Sequence, residues 1–314
     1  PGAAPAGQAA TEGSSQAPAA GGAQKLIWSV EGVNELPGLD PANPQNGQDE
    51  NGKLIPQDPH PILGDVRVRQ AIAHAIDYQS IIDNILLGQG YSMGANVLPT
   101  IEWAADKDIK PYTYDLDAAK SLLEEAGWVD SNGDGIREKD GKEMKISLMT
   151  NAGNTTREDI GVYVQNQLKQ IGIDVDFQAI DFGTLLDRMD AQDYDMYLLG
   201  WTGLGSDPND EPFWSSKFDV VGSGFNNVSY QNEKIDKLLV DGYTVPGCKP
   251  EDRAPIYKEI QQIIHDDVPY IFLNGRVSNA FYNKDWQNID PQTWSFKYNM
   301  HNWYKQSLQP AAAP

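Results

Sequence analysis

Between Lys145 and Trp201 the spacing of apolar residues switches repeatedly between two periods. "KISLMT" (145–150) has strand character, and "TTREDIGVYVQNQLKQIG" then carries Ile160, Val164, Leu168 and Ile171 at helical spacing. "IDVDFQAI" alternates Ile173, Val175 and Phe177 with polar residues, "FGTLLDRMDAQ" reads as a short helix, and "YDMYLLGW" as an apolar strand. The order β-α-β-α-β calls for parallel strands joined by right-handed crossovers. Upstream, Asp65, Asp77 and Asp115 stand where they can cap helices through "VRVRQAIAHAI", "YQSIIDNILL" and "LDAAKSLLEEA", with Gly88 and Gly127 as stops. Leu116, Ala119, Leu122, Leu123 and Ala126 fall on one face of the third, as in a helix that packs a core.

In open sheets of this kind, ligands sit beyond the carboxyl ends of the strands. Three loops converge there: Asn151 to Asn154, Asp181–Phe182, and "GWTGLGSDPNDEPFW" from Gly200 to Trp214. The last sets Trp201, Phe213 and Trp214 among Gly, Pro and acids, which cannot be regular structure. Trp201 is read either as a ligand contact or as core packing under the sheet edge.

Outside this region the pattern fades. Residues 1–24 are Ala, Gly, Pro and Ser with almost no large apolar side chain, the composition of a disordered linker. "KLIWSVEG" is a plausible strand, but residues 34–61 carry turn residues throughout, too long a structureless stretch for a compact domain.

Composition excludes more than it identifies. The net charge of −21 over 314 residues argues against nucleic acid or an anionic membrane as partner. The one cysteine, Cys248, rules out an internal disulfide or a cysteine-rich zinc site. No apolar run approaches a membrane span and no leader is read at the start, so the chain is expected to be mature or trimmed. His60, His74, His265 and His301 are isolated, and no P-loop, nucleophile elbow or dinucleotide fingerprint is present. Asp207, Asp210 and Glu211 could form a glycosidase carboxylate pair, or could serve as solvated and capping residues of a turn.

"DSNGDGIRE" is a second chemical candidate. Asp130, Asn132 and Asp134 alternate before Gly135, with Ile136 offering its carbonyl, as in a calcium loop. The twelfth position is Gly141 rather than a bidentate Glu, and Asn-Gly and Asp-Gly form turns without any metal. Calcium is therefore an expectation beside that of a plain hairpin, and no other cofactor is expected.

Four segments in this order, "DVRVRQAIAHAIDYQSIIDNILLGQG", "YDLDAAKSLLEEAGWVDSNGDGIRE", "YDMYLLGWTGLGSDPND" and "YKEIQQIIHDDVPYIFL", resemble the carboxyl-terminal lobe of the extracytoplasmic solute-binding proteins of peptide/nickel-type ABC transporters. The resemblance runs from about His60 to Tyr304. It implies a non-enzymatic, monomeric receptor that closes two lobes over a peptide, metal chelate or oligosaccharide and hands it to permease subunits. A carbohydrate receptor of the same fold is the alternative. The fold implied is α/β: a periplasmic-binding-protein-like lobe, its mixed, largely parallel sheet flanked by helices. The linker would suit a lipoprotein tether, although the acylated cysteine is not in this chain.

The same resemblance divides the chain into linker 1–24, a remnant of a first lobe with a long loop at 25–59, the ligand-binding lobe at 60–272, a return segment at 273–305 and a flexible tail at 306–314. Most of the first lobe would be missing, with the join at "LDPANPQ". In peptide-binding members an Asp soon after the loop Trp receives the ligand's amino group; here that position is Leu204, with Asp207 or Asp210 as possible substitutes. The ligand residues implied are Asn151, Asn154, Asp181, Phe182, Trp201, Leu204 and Asp207.

Overall fold

The computed structural model describes residues 24–35, 60–202, 207–220, 222–290, 299–305 and 307. The linker expected over 1–24, all but its last residue, and the segment 36–59 lie outside them, as does most of the 306–314 tail.

Local chemistry sets the helices. Asp65 accepts from the Arg67 amide ahead of α1 (Val66–Ala75), Asp77 from the Ser80 amide ahead of α2 (Tyr78–Ser80), and Asp115 from the amides of Asp117 and Ala118 ahead of α3 (Leu116–Glu125). The second helix departs from expectation. After Ser80 it continues as a π-helical turn, Ile81–Ile85, and ends at Leu87 and Gly88, both in the left-handed region. β2 (Gly90–Tyr91) follows.

β3 (Glu138–Lys139) and β4 (Lys142–Glu143) form a tight hairpin. Its turn residues Asp140 and Gly141 both have positive φ, the geometry that two-residue hairpin loops require. Then come β5 (Lys145–Asn151), α4 (Thr155–Lys169), β6 (Asp174–Ile180), α5 (Phe182–Asp190) and β7 (Met196–Thr202), the expected alternation. A short α6 (Glu211–Trp214), α7 (Glu233–Thr244), α8 (Pro250–Asp267) and β8 (Tyr270–Ala280) complete the main body.

One sheet of order β2-β8-β1-β7-β5-β6 organises the protein, with β1 spanning Gln24–Glu35. Helices cover both faces. Ile146, Leu148, Met196, Leu198, Ile271 and Leu273 point to one core with α1, α3 and α4. Met149, Tyr197, Tyr270 and Phe272 point to the other, with Leu185, Ile235, Tyr257 and Ile264 of α5, α7 and α8. This period-two division is what a sheet buried on both faces dictates.

The sheet is mixed, and its parallel part is β6-β5-β7. β2, β8 and β1 are paired antiparallel, as β1 is to β7, so "largely parallel" describes only that half. Two strands bear on the expected boundaries. β1, expected as a first-lobe remnant, runs between β7 and β8 in the middle of the sheet. The division after Phe272 falls inside β8, which pairs with β1 from Tyr270↔Asn34 to Ala280↔Gln24. A strand's neighbour is chosen by tertiary packing, which local sequence does not encode.

Candidate functional site

β5 is followed by a crossover to β6 on one side, and β6 by a crossover to β7 on the other. Right-handed connections in opposite directions must place their helices on opposite faces, and α4 and α5 pack into the two different cores accordingly. A crevice opens where such a sheet reverses, at the carboxyl ends of the two central strands. Here that is the gap between β5 and β7.

The gap is visible in the pairing. β5 and β7 are matched only at Leu148↔Met196 and Met149↔Tyr197, yet β7 continues to Thr202 along β1. The Thr150 hydroxyl donates to the Leu198 carbonyl at 2.8 Å and closes the ladder. Backbone groups alternate sides along a strand, so those of Gly200 and Thr202 point the same way as the Leu198 carbonyl, into the gap. β5 meanwhile stays with β6 as far as Asn151↔Ile180.

Aromatic side chains line the β7 side. Half-buried Trp201 packs on Phe213 at 4.5 Å between ring centroids and meets Phe225 edge-on at 5.9 Å. Phe225 itself is 53% exposed. It was not among the expected site residues, since "SGFNN" carries no periodic signal. Trp214 goes the other way: it is 2% exposed and packs on Tyr270 at 4.6 Å, a core residue.

The polar residues expected here are engaged with the protein. Asn154 caps α4 through the Arg157 amide, and Asn151 accepts from the Arg157 guanidinium at 2.8 Å. Asp181 caps α5 through the Thr184 amide, next to Phe182, which is 51% exposed. Asp207 accepts both guanidinium nitrogens of Arg253, at 2.7 and 2.8 Å. That pairing holds its carboxyl below the usual carboxylate range. Leu204 lies outside the described residues.

Asp210 behaves oppositely. Its carboxyl group is enclosed and accepts from the Asn96 amide at 2.9 Å; burial pushes its pKa up to about 7, the hydrogen bond opposing. Glu211 pairs with Lys217. The three acids considered as a glycosidase pair therefore each have a structural partner.

At the other edge of the sheet, His60, Ser147, Arg188 and Asp195 line a cavity of about 290 Å³. Asp195 joins His60 (3.0 Å) to the Ser147 hydroxyl (2.7 Å). His60 Nδ1 accepts from the amides of Ile62 and Leu63, so Nε2 donates to Asp195. The carboxylate stands between the histidine and the serine, unlike a Ser-His-Asp triad, in which the histidine is central, and the arrangement ties the starts of β5 and β7 together.

The candidate calcium loop closes on itself. Asp130 accepts from the amides of Gly133 and Gly135, Asn132 from Asp134, and Asp134 from Ile136, whose carbonyl was the expected ligand. Among the described residues, no group of three or more His, Cys, Asp or Glu is placed to hold a metal ion. Millimolar calcium is accordingly expected to leave the melting temperature unchanged, while Asp130→Ala lowers stability by about 1 kcal/mol through the two lost hydrogen bonds. A calcium-induced rise that disappears in Asp134→Ala would instead identify a calcium site.

With this geometry in view, residues 36–220 match the sequence profile described as bacterial extracellular solute-binding proteins, family 5 middle region. The chain is 38% identical over 216 residues to the oligopeptide-binding protein AppA of Bacillus subtilis (strain 168), covering 68% of this chain and 39% of the relative. It is 26% identical over 216 residues to the dipeptide-binding protein of Escherichia coli (strain K12), covering 67% and 37%. Its fold superposes on the AppA structure in complex with a nonapeptide with a TM-score of 0.70 at 31% identity, over 89% of this chain and 51% of that one. NikZ of Campylobacter jejuni, in complex with Ni(L-His), gives 0.71 at 25% identity, over 90% and 53%. The chain thus spans about two-fifths of the length of these curated relatives.

Proposed function

The chain belongs to family 5 of the bacterial extracellular solute-binding proteins, and from that premise we propose that it is a ligand-binding lobe that takes an extended peptide against the open edge of β7. One observation carries this reading: beyond Tyr197 no strand among the described residues takes the place of β5, so the backbone of Gly200 and Thr202 faces a gap beside Trp201, Phe213 and Phe225. An unpaired strand edge is the natural partner of a peptide backbone, and flanking apolar surface takes alternate side chains. A relative named for oligopeptides and a fold neighbour holding a nonapeptide support the ligand class. No relative named above is described as a carbohydrate binder, and the oligosaccharide alternative is not supported.

The same reading makes the protein a non-enzymatic, monomeric receptor outside the cytoplasm, tethered at the membrane face through a lipid and passing its ligand to the permease subunits of an ABC importer. A single lobe leaves much of the ligand in water, so affinity is expected in the high micromolar range or weaker. Titration calorimetry with the pentapeptide Leu-Ala-Leu-Ala-Leu tests the proposal. An analogue N-methylated at alternate backbone amides is expected to bind at least about tenfold more weakly, since it cannot complete the strand. Equal binding of the two would remove the strand-edge geometry. No heat from either at millimolar peptide would remove the peptide reading.

A further inference from the structure

The surface that would meet the ligand is assembled from segments far apart in sequence, and one buried cation holds them in register. Arg253 lies in the first turn of α8 and is 8% exposed. Its Nε donates to the Gly242 carbonyl at 2.6 Å, at the end of α7. Nη1 and Nη2 grip the two oxygens of Asp207, and Nη2 also donates to the Tyr257 hydroxyl at 2.8 Å. The guanidinium plane lies over the rings of Trp103 (5.1 Å) and Tyr257 (5.2 Å). Four donor contacts and two ring faces leave it no alternative position.

Asp207 is the first described residue after β7. From there the chain has little slack. The Asp207 carboxylate also accepts from the Asn209 amide at 3.0 Å, and Asn209 accepts from the Glu211 amide at 3.3 Å. Asn96 grips Asp210, Pro208 is buried, and Pro212 stiffens the start of α6. Phe213 follows at once, packed on Trp201 and Phe225.

We propose that Arg253 is a positioning residue of this site: through Asp207 it fixes the path of residues 207–213 and so holds Phe213 in the aromatic face beside the open edge of β7. The consequence for ligand binding rests on the peptide reading above; the positioning itself does not.

Arg253→Lys and Asp207→Asn test it in the full chain. Lysine keeps the charge but loses the planar fork, and asparagine keeps the size but loses the charge. Amide hydrogen exchange followed by mass spectrometry is expected to accelerate at least about tenfold in peptides covering 207–214 in each variant, with β5 and β6 unchanged. The double variant is expected to resemble the single ones, because both break one interaction. Binding of Leu-Ala-Leu-Ala-Leu is expected to weaken about tenfold alongside, at a temperature where all variants stay folded. Unchanged exchange at 207–214 overturns the proposal, and so does a rise of similar size in every peptide, which is the mark of a general stabilising ion pair. If the unmodified chain binds no peptide, the functional reading falls and the exchange result alone decides the role of Arg253.

Discussion

Asp210→Asn is expected to make the protein more stable at pH 8 and to flatten its stability between pH 5 and pH 8. In the folded chain the Asp210 carboxyl is enclosed beside Asn96, and burial raises its pKa to about 7. Unfolded, it ionises near the ordinary value of about 3.9. Between those values the folded state holds a proton that the unfolded state has released. The stabilisation is complete below the unfolded pKa and is lost as pH rises through the folded one. A gap of about three units corresponds to at most about 4 kcal/mol.

Asparagine is neutral at every pH and can still accept from Asn96, so the variant escapes the loss. Asp219, raised by burial although Gln192, Gln231 and Ser229 donate to it, has the same sign and leaves some slope in the variant. Asp207 is lowered by Arg253. Asp195 is lowered as well: burial works to raise it, but hydrogen bonds from His60 and Ser147 outweigh that. Their contributions are present above the unfolded pKa and disappear as pH falls through the folded one. Stability is therefore expected to peak in mild acid. Urea unfolding of both proteins across pH 4 to 8 measures this, and identical slopes would show that Asp210 ionises normally in the fold.

The reading of Asp210 illustrates where sequence stops being informative. Asp65, Asp77 and Asp115 declare themselves as caps because a cap is a local hydrogen bond to an amide two or three residues on. Asn154 and Asp181 obey the same rule, yet they also stand at the carboxyl edge of the sheet, where topology invites a ligand role. Local and topological cues compete there, and the structure shows the capping bonds filled. Asp207 and Asp210 could not be sorted from sequence at all. One is paired with Arg253, 46 residues later, and the other with Asn96, 114 residues earlier. The alternation from β5 to β7 is legible because each crossover is a local unit, and the edge that bears the candidate site follows from it. The place of β1, the length of β8 and the contribution of Phe225 depend on contacts that no window of sequence contains.

Two tryptophans thirteen residues apart offer the sharpest separation of site from core. Trp201 and Trp214 sit in one short stretch with the same kind of neighbours in sequence, but the fold treats them differently. Trp214 is 2% exposed among Tyr270, Phe272 and Tyr230, so Trp214→Ala is expected to cost about 3–5 kcal/mol of stability, as large-to-small core changes do. Trp201 is only half-buried, and its ring faces Phe213 and exposed Phe225 at the open edge of β7. It also packs against the margin of the core on that face, so its removal deletes one wall of a surface patch and only the rim of a core. Trp201→Ala is expected to cost about 1–2 kcal/mol in stability. Peptide affinity, however, should fall about thirtyfold or more, the effect of truncating an aromatic anchor worth 2 kcal/mol or above. Trp201→Phe should recover part of that affinity, because a smaller ring still offers an apolar face. Thermal unfolding and titration of the same four proteins with Leu-Ala-Leu-Ala-Leu provide both readings. Should Trp201→Ala destabilise as much as Trp214→Ala while leaving affinity unchanged, Trp201 belongs to the core, and the peptide must bind elsewhere on the lobe.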